Sequence, residues 1–277
     1  MAENHNMKEI HRGGILEECF CKLKVLEVIN HPAISDWSTF LKRLRNLEKL
    51  VVRETFWEEI FPHEEFFDQE NHSRILTQLR ELELIELPML THLWKEDTHP
   101  SPIFHYLENL KVSRCDKLKN LVPSSVSFQK LTNLEILMCQ GLINLVTSST
   151  AKSLVQLKKM SVSKCERITE VVAGEGVETN EVITFNHLTY LKLDCLPNLT
   201  SFCSRSYSFE FPSLEEVIVS KCPEMKIFCH GVLSTPKLER VQATKEDEWH
   251  WKVDLNTTVR TLALEGQTMK PPCNSSS

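Results

Sequence analysis

Ten cysteines and eleven histidines are the residues of this 277-residue chain whose chemistry could go beyond packing. Zinc-binding cysteines come as C-x-x-C pairs or beside histidines, because four side chains must reach one ion. The nearest approaches here are Cys19 with Cys21, Cys195 with Cys203, and Cys222 with Cys229 and His230, and none has C-x-x-C spacing. The histidines are scattered, with His63 and His72 in an acidic stretch and His92, His99 and His105 near prolines; they read as solvated loop residues. G-x-S-x-G and G-x-x-x-x-G-K-S/T are both missing, and 7 glycines are too few for a glycine-rich phosphate loop. The expectation is no enzyme, no metal and no cofactor. What remains is a set of four cysteines at long, related intervals: Cys115, Cys139, Cys165 and Cys222.

Their surroundings explain the spacing. In "LENLKVSRCDKLKNL" (107–121) apolar side chains stand at Leu107, Leu110, Val112, Leu118 and Leu121 around Cys115. The same offsets recur in "LTNLEILMCQGLINL", "LKKMSVSKCERITEV" and "LEEVIVSKCPEMKIF", and more loosely from Leu79 and Leu188, with fragments from Leu23, Leu47 and Leu238. Nine units therefore start at 23, 47, 79, 107, 131, 157, 188, 214 and 238. This is the leucine-rich repeat period, with some irregularity. Numbering each unit from its leading leucine, the fourth and sixth residues alternate as in a short strand, while three-residue steps turn the chain through corners. One coil cannot bury its own apolar edge, so coils stack around a shared core.

The expected fold is α/β: a curved horseshoe solenoid of about nine irregular repeats. A parallel sheet lines the concave side, and mostly loops and short helical turns lie on the convex side. The ninth position, where the chain bends inward, suits a cysteine, since a free thiol is a small hydrophobe with a weak donor for backbone carbonyls. These four cysteines are expected to be structural. Residues 1–19 read as a weakly ordered lead-in and 20–265 as the repeat domain. A cap is expected near 246–265, with Trp249 and Trp251 over the last coil, and a disordered tail at 266–277. The aromatic group Phe56, Trp57, Phe61, Phe66 and Phe67 falls in the longest step between units and reads as a local core.

Composition limits the partners. A net charge of −6 argues against generic nucleic-acid binding. No apolar run of about 18 residues marks a membrane span, and "MAENHNMKEIHRGG" lacks the apolar stretch of a secretion signal. Cysteines in register along a stack do not suggest a disulfide framework, so a reducing, cytoplasmic location is expected. The N-x-S/T sequons at Asn71, Asn198, Asn256 and Asn274 then read as chance occurrences.

Binding residues are sought between the buried leucines, where the third, fifth, seventh and eighth residues of each unit face the concave side. The unit from Leu79 places Glu81, Glu83 and Glu86 there; the unit from Leu107 places Lys111, Arg114 and the polar Ser113. Further along come Leu137, Met138, Lys159, Lys164, Tyr190, Lys192, Ile218, Lys221, Arg240 and Lys245. The surface changes sign along its length. A solvated face is one reading. A docking face for an acidic protein, with Leu137, Met138, Tyr190 and Ile218 as apolar anchors, is the other.

The stretches "LPMLTHLWKEDTHPSPIFHYLENLKVSRCDKLKNLVPSSVSFQKLTNLEIL", "AKSLVQLKKMSVSKCERITEVVAGEG", "FPSLEEVIVSKCPEMKIF" and "DEWHWKVDLNTTV" resemble the C-terminal repeats of plant coiled-coil nucleotide-binding leucine-rich-repeat disease resistance proteins. The resemblance covers nearly all of residues 20–265. It implies recognition of a pathogen effector or a guarded host protein, with the receptor's other domains supplied in cis or in trans. The coiled-coil and nucleotide-binding regions of that family are absent from this chain, so nucleotide binding does not carry over. A substrate-recruiting leucine-rich repeat adaptor of a ubiquitin ligase is the alternative, because "CERITEV" resembles the cysteine-containing repeats of F-box proteins. An extracellular receptor would favour Asn at the ninth position and a following G-x-I-P phrase, and neither is seen.

Overall fold

The computed structural model describes residues 22–32, 37–61, 76, 78–93, 102–124, 126–175, 181–242 and 254–268. Nine strands form one continuous parallel sheet in chain order, one for each unit found in the sequence. They are Val25–Ile29, Lys49–Arg53, Glu81–Ile85, Asn109–Ser113, Asn133–Leu137, Lys159–Ser163, Tyr190–Asp194, Glu216–Ser220 and Arg240–Gln242, and they belong to coils one to nine. Every strand begins two residues after its leading leucine. The register never slips: Leu82 lies beside Leu110, Leu110 beside Leu134, and Leu134 beside Met160. A slip of one residue would turn the whole apolar set to solvent, so burial on one face enforces the register.

Inside the coils the fourth and sixth residues are buried throughout, from Leu26 and Val28 to Val217 and Val219. A second, aromatic column lines the inner wall behind the leading leucines. Phe104, Phe128, Phe185 and Phe211 each precede a leading leucine by three residues, and all are fully buried. The amide N–H groups of Leu107, Leu188 and Leu214 donate back to the carbonyls of Phe104, Phe185 and Phe211, closing one tight turn before each strand. Phe104 stands 5.6 Å from Phe128 and 5.9 Å from Phe61, and Phe185 stands 5.2 Å from Phe211. Stacked and edge-on pairs at these distances add to the area term.

Among the described residues the convex segments are mostly loops and short helical turns, as expected, and they also carry short strands. Val182–Thr184, Ser208–Glu210 and Leu233–Ser234 form a three-stranded parallel sheet, and Val146–Thr147 pairs with Val172–Ala173. The physical reason lies in β-branched and aromatic runs such as "VIT" and "SFE" in successive coils, which favour extended pairing once stacking brings them side by side. Short helices do occur, at Trp37–Arg43 and Ser148–Ser153, and a 3₁₀ turn spans Pro102–Tyr106.

After the ninth strand comes the helix Leu255–Thr268, which runs past the boundary at 265 expected for the cap. Asp254 caps it: its side chain accepts from the Thr257 N–H at 2.8 Å. Leu255 and Val259 join the core. The Asn256 amide accepts from the Phe228 and Cys229 N–H groups and donates to the Cys229 carbonyl, doing for that loop what another coil's backbone would do. Trp249 and Trp251, the lead-in 1–19 and residues 269–277 lie outside the described residues.

Candidate partner-binding surface

Along the outer face of the sheet the third, fifth and seventh residues form columns whose members are about 4.8 Å apart from strand to strand. At that spacing charges pair sideways. Lys49 Nζ lies 2.9 Å from Glu81 and 2.6 Å from Glu83, and these hydrogen bonds raise its pKa above the usual lysine range. Arg53 reaches Glu27 at 3.0 Å and Glu83 at 3.9 Å. Glu86 pairs with Arg114. The acidic rung Glu81, Glu83 and Glu86 is thus neutralised by its neighbours. Lys111 pairs with Glu135 at 3.5 Å and Lys192 with Asp194 at 3.2 Å. Lys159 is exposed and makes no ion pair among the described residues. A shallow concavity of about 320 Å³ spans the third to fifth strands of this face, lined by Glu81, Glu83, Asn109, Lys111, Asn133 and Glu135 along with Leu82 and Leu110. Asn133 donates to Asn109 across it. Its lining holds three carboxylates, one lysine and two amides, suited to mixed hydrogen bonding with another protein's surface.

The four apolar anchors do not form one patch. Leu137 and Met138 are half-buried neighbours at the end of the fifth strand. Tyr190 begins the seventh strand, two coils on and roughly 13 Å away along the strand direction. Burial, with Glu216 and Asp194 nearby, raises the Tyr190 pKa. Ile218 is no anchor: it is 1 % exposed. It lies in register between Lys192 and Gln242, and flanking side chains at strand spacing close over it. Ser113 is also buried instead of facing outward, since this small residue stands in register between Ile85 and Leu137. Arg240 is exposed, and Lys245 lies outside the described residues.

The eighth column has a property invisible to leucine counting. Asn30, Glu54, Glu86, Arg114, Met138, Lys164, Cys195 and Lys221 all have φ between 45° and 57°. This is the left-handed region, which costs a residue with a Cβ roughly 1–2 kcal/mol, and no glycine stands at any of these positions. The conformation is over-determined by the stack. The N–H of Glu86 donates to the Ser113 carbonyl one coil ahead, that of Arg114 to Leu137, that of Met138 to Ser163 and that of Lys164 to Asp194. The eighth side chains are thereby swung off the sheet onto the rim where the strands end.

Just inside the rim lie the ninth-position thiols, and Cys115, Cys139, Cys165 and Cys222 are all buried. Each Sγ reaches the carbonyl two residues back, at 3.5, 3.5, 3.4 and 3.3 Å respectively. Cys139 Sγ also approaches the Val112 carbonyl of the coil before, and Cys165 Sγ accepts the Cys139 N–H at 3.4 Å. Burial pushes the Cys165 and Cys222 thiols up to about 12. The hydrogen bond from Cys139 and burial together raise that of Cys115. Such protonated thiols are weak donors packed into a bend, and poor nucleophiles. No cluster of three His, Cys, Asp or Glu side chains placed to hold a metal ion occurs among the described residues.

Sequence reasoning passed over three features. The aromatic column is legible as F-x-x-L at Phe104, Phe128, Phe185 and Phe211. Asn256 sits in a sequon, but its amide is committed to the Phe228–Cys229 loop. Of the aromatic group read as a local core, Trp57 and Phe61 are buried, whereas Phe56 is 73 % exposed. Phe66 and Phe67 lie outside the described residues.

Among the described residues no helix is long and apolar enough to cross a membrane. No curated protein matches the chain. A leucine-rich repeat protein of Leptospira interrogans is similar at 15 % identity over 81 % of this chain and 82 % of that one, with a TM-score of 0.25. A family profile described as plant disease resistance protein RPS2-like, leucine-rich repeats, matches residues 1–127 and 124–243. With an unbroken nine-strand stack behind that match, the chain belongs to the RPS2-like leucine-rich repeat family of plant disease resistance proteins.

Proposed function

We propose that this chain is the sensor surface of an intracellular plant immune receptor. It recognises a pathogen effector or a guarded host protein in the cytoplasm, without a cofactor and without catalysis of its own. One observation carries the reading: a family-matched stack of nine coils presents an ordered outer face, with a polar concavity lined by Glu83, Asn109, Lys111 and Glu135. Rigid arrays of this kind bind by surface complementarity, with charged columns setting encounter rate and partner choice. The signalling step belongs to receptor domains supplied in cis or in trans. Affinity capture from plant tissue, with a variant carrying Lys111→Glu and Glu135→Lys as reference, tests it. A discrete effector or host protein recovered by the parent and lost by the variant is the expected result. Recovery of Skp1-type adaptors with a cullin would overturn it in favour of a ubiquitin-ligase adaptor.

A further inference from the structure

The cations of the outer sheet face are largely spoken for, but on the rim most, Arg114 excepted, are not. Lys117, Lys119, Lys164, Arg167 and Lys221 are exposed and form no ion pair among the described residues. Their arrangement follows the coils. Coil four carries Lys117 near the paired Arg114, coil six carries Lys164 and Arg167, and coil eight carries Lys221. Coils five and seven, between them, place Met138 and Cys195 at the eighth position and no cation on the rim. Charged coils therefore alternate with uncharged ones, and two strand spacings separate successive cation groups by roughly 10 Å. The left-handed backbone at Lys164 and Lys221 holds these side chains on the rim instead of over the sheet.

We propose that this rim is a docking site for an extended acidic segment of a partner protein, with carboxylates at every third residue. A chain in the extended polyproline II conformation has three residues per turn and rises about 3.1 Å per residue, so every third side chain recurs on one face at about 9 Å, close to the spacing of the charged coils. The half-buried Met138 offers an apolar contact for the residues between. Asp116, Glu166 and Glu224 sit among the cations and would repel a continuous polyanion, so a segment with neutral residues between its charges fits better than a nucleic acid. The proposal rests on the protein-recognition reading and names the chemistry of the segment recognised.

The test uses fluorescence anisotropy at low ionic strength with two labelled peptides of identical composition. One has Glu at every third position, the other has its Glu residues in one block, and a single-stranded RNA of equal charge is the third probe. The spaced peptide is expected to bind best, and the triple variant Lys117→Glu, Lys164→Glu, Lys221→Glu to weaken it by about tenfold or more. Glu already occupies the left-handed eighth position at Glu54 and Glu86, so the variant is expected to fold, with its melting temperature as the check. The sheet-face variant Lys159→Gln, Lys192→Gln, which leaves the concavity untouched, should bind within about twofold of the parent. Equal binding of the blocked peptide or the RNA, no binding of the spaced peptide, or an undiminished rim variant each overturns the proposal. A partner captured from tissue that ignores the rim variant but loses the sheet-face variant leaves the recognition reading standing and removes only the rim.

Discussion

Coils one to three and coils four to six are built on the same backbone but solve two side-chain problems differently. In the first three, the ninth position holds His31, Thr55 and Leu87; in the next three it holds Cys115, Cys139 and Cys165. Each thiol finds a carbonyl, whereas the buried Thr55 hydroxyl has no hydrogen-bond partner among the described residues. The charges differ as well. Lys49 and Arg53 are consumed by Glu27, Glu81 and Glu83, while Lys164 and Arg167 stand unpaired on the rim among the described residues. The shared scaffold of backbone ladder and leucine core tolerates either solution. What a coil presents to a partner is thus nearly independent of what holds it together.

The comparison breaks first if the core is not common to both regions. Leu50→Ala and Leu110→Ala are each expected to cost about 2–5 kcal/mol in urea unfolding, because both side chains are fully buried in the same column. Lys111→Ala, on the outer face, should cost about 0.5 kcal/mol or less. A cheap Leu50→Ala would mean that the first coils are not part of the cooperative unit.

The ninth position sharpens it with opposite signs. Cys165→Ser puts a more polar group into the bend and should cost about 1–2 kcal/mol. Thr55→Val removes an unsatisfied buried hydroxyl and should gain about 1 kcal/mol. Matching losses at both sites would show that the bend responds only to shape.

Alkaline pH separates the regions next. Burial pushes the folded Cys165 and Cys222 thiols up to about 12, from 9.0 ordinarily. A raised folded pKa stabilises fully below pH 9, and that stability is lost between pH 9 and 12 as the unfolded chain ionises first. Each thiol contributes a slope of at most about 1.4 kcal/mol per pH unit. Cys165→Val should make the measured slope shallower, and an unchanged slope would place the proton loss elsewhere.

Surface charge gives the smallest effect. Glu83→Gln, which loosens Lys49 and Arg53, should cost about 0.2–1 kcal/mol at low salt and nothing measurable at high salt. Lys164→Gln should leave stability unchanged.

All nine strands were legible in the sequence because each requires the same apolar offsets, and a coil that breaks them exposes its neighbours' cores as well as its own. The outward direction of Lys111, Lys159 and Lys192 was legible from alternation. Ile218 was not, since its burial depends on Lys192 and Gln242 in other coils and not on its own unit. Nor was the left-handed column: Glu, Arg, Met, Cys and Lys occupy it in place of Gly, and the hydrogen bonds that impose it come from the coil ahead. The convex sheets were missed for a related reason, because Val182–Thr184 and Ser208–Glu210 are too short to declare themselves singly.

Those forward hydrogen bonds give the stack a direction of assembly. A coil enters by binding backward, as when the Thr132 and Asn133 amides donate to the Glu108 carbonyl, and it leaves by binding forward, as when Met138 donates to Ser163. During synthesis the entrance of the newest coil is secured at once, while its exit bend waits for the next strand to emerge. The growing tip of the nascent chain is therefore always one bend short of finished, and a stalled or clipped product should fray from that bend, at the residues that form the rim.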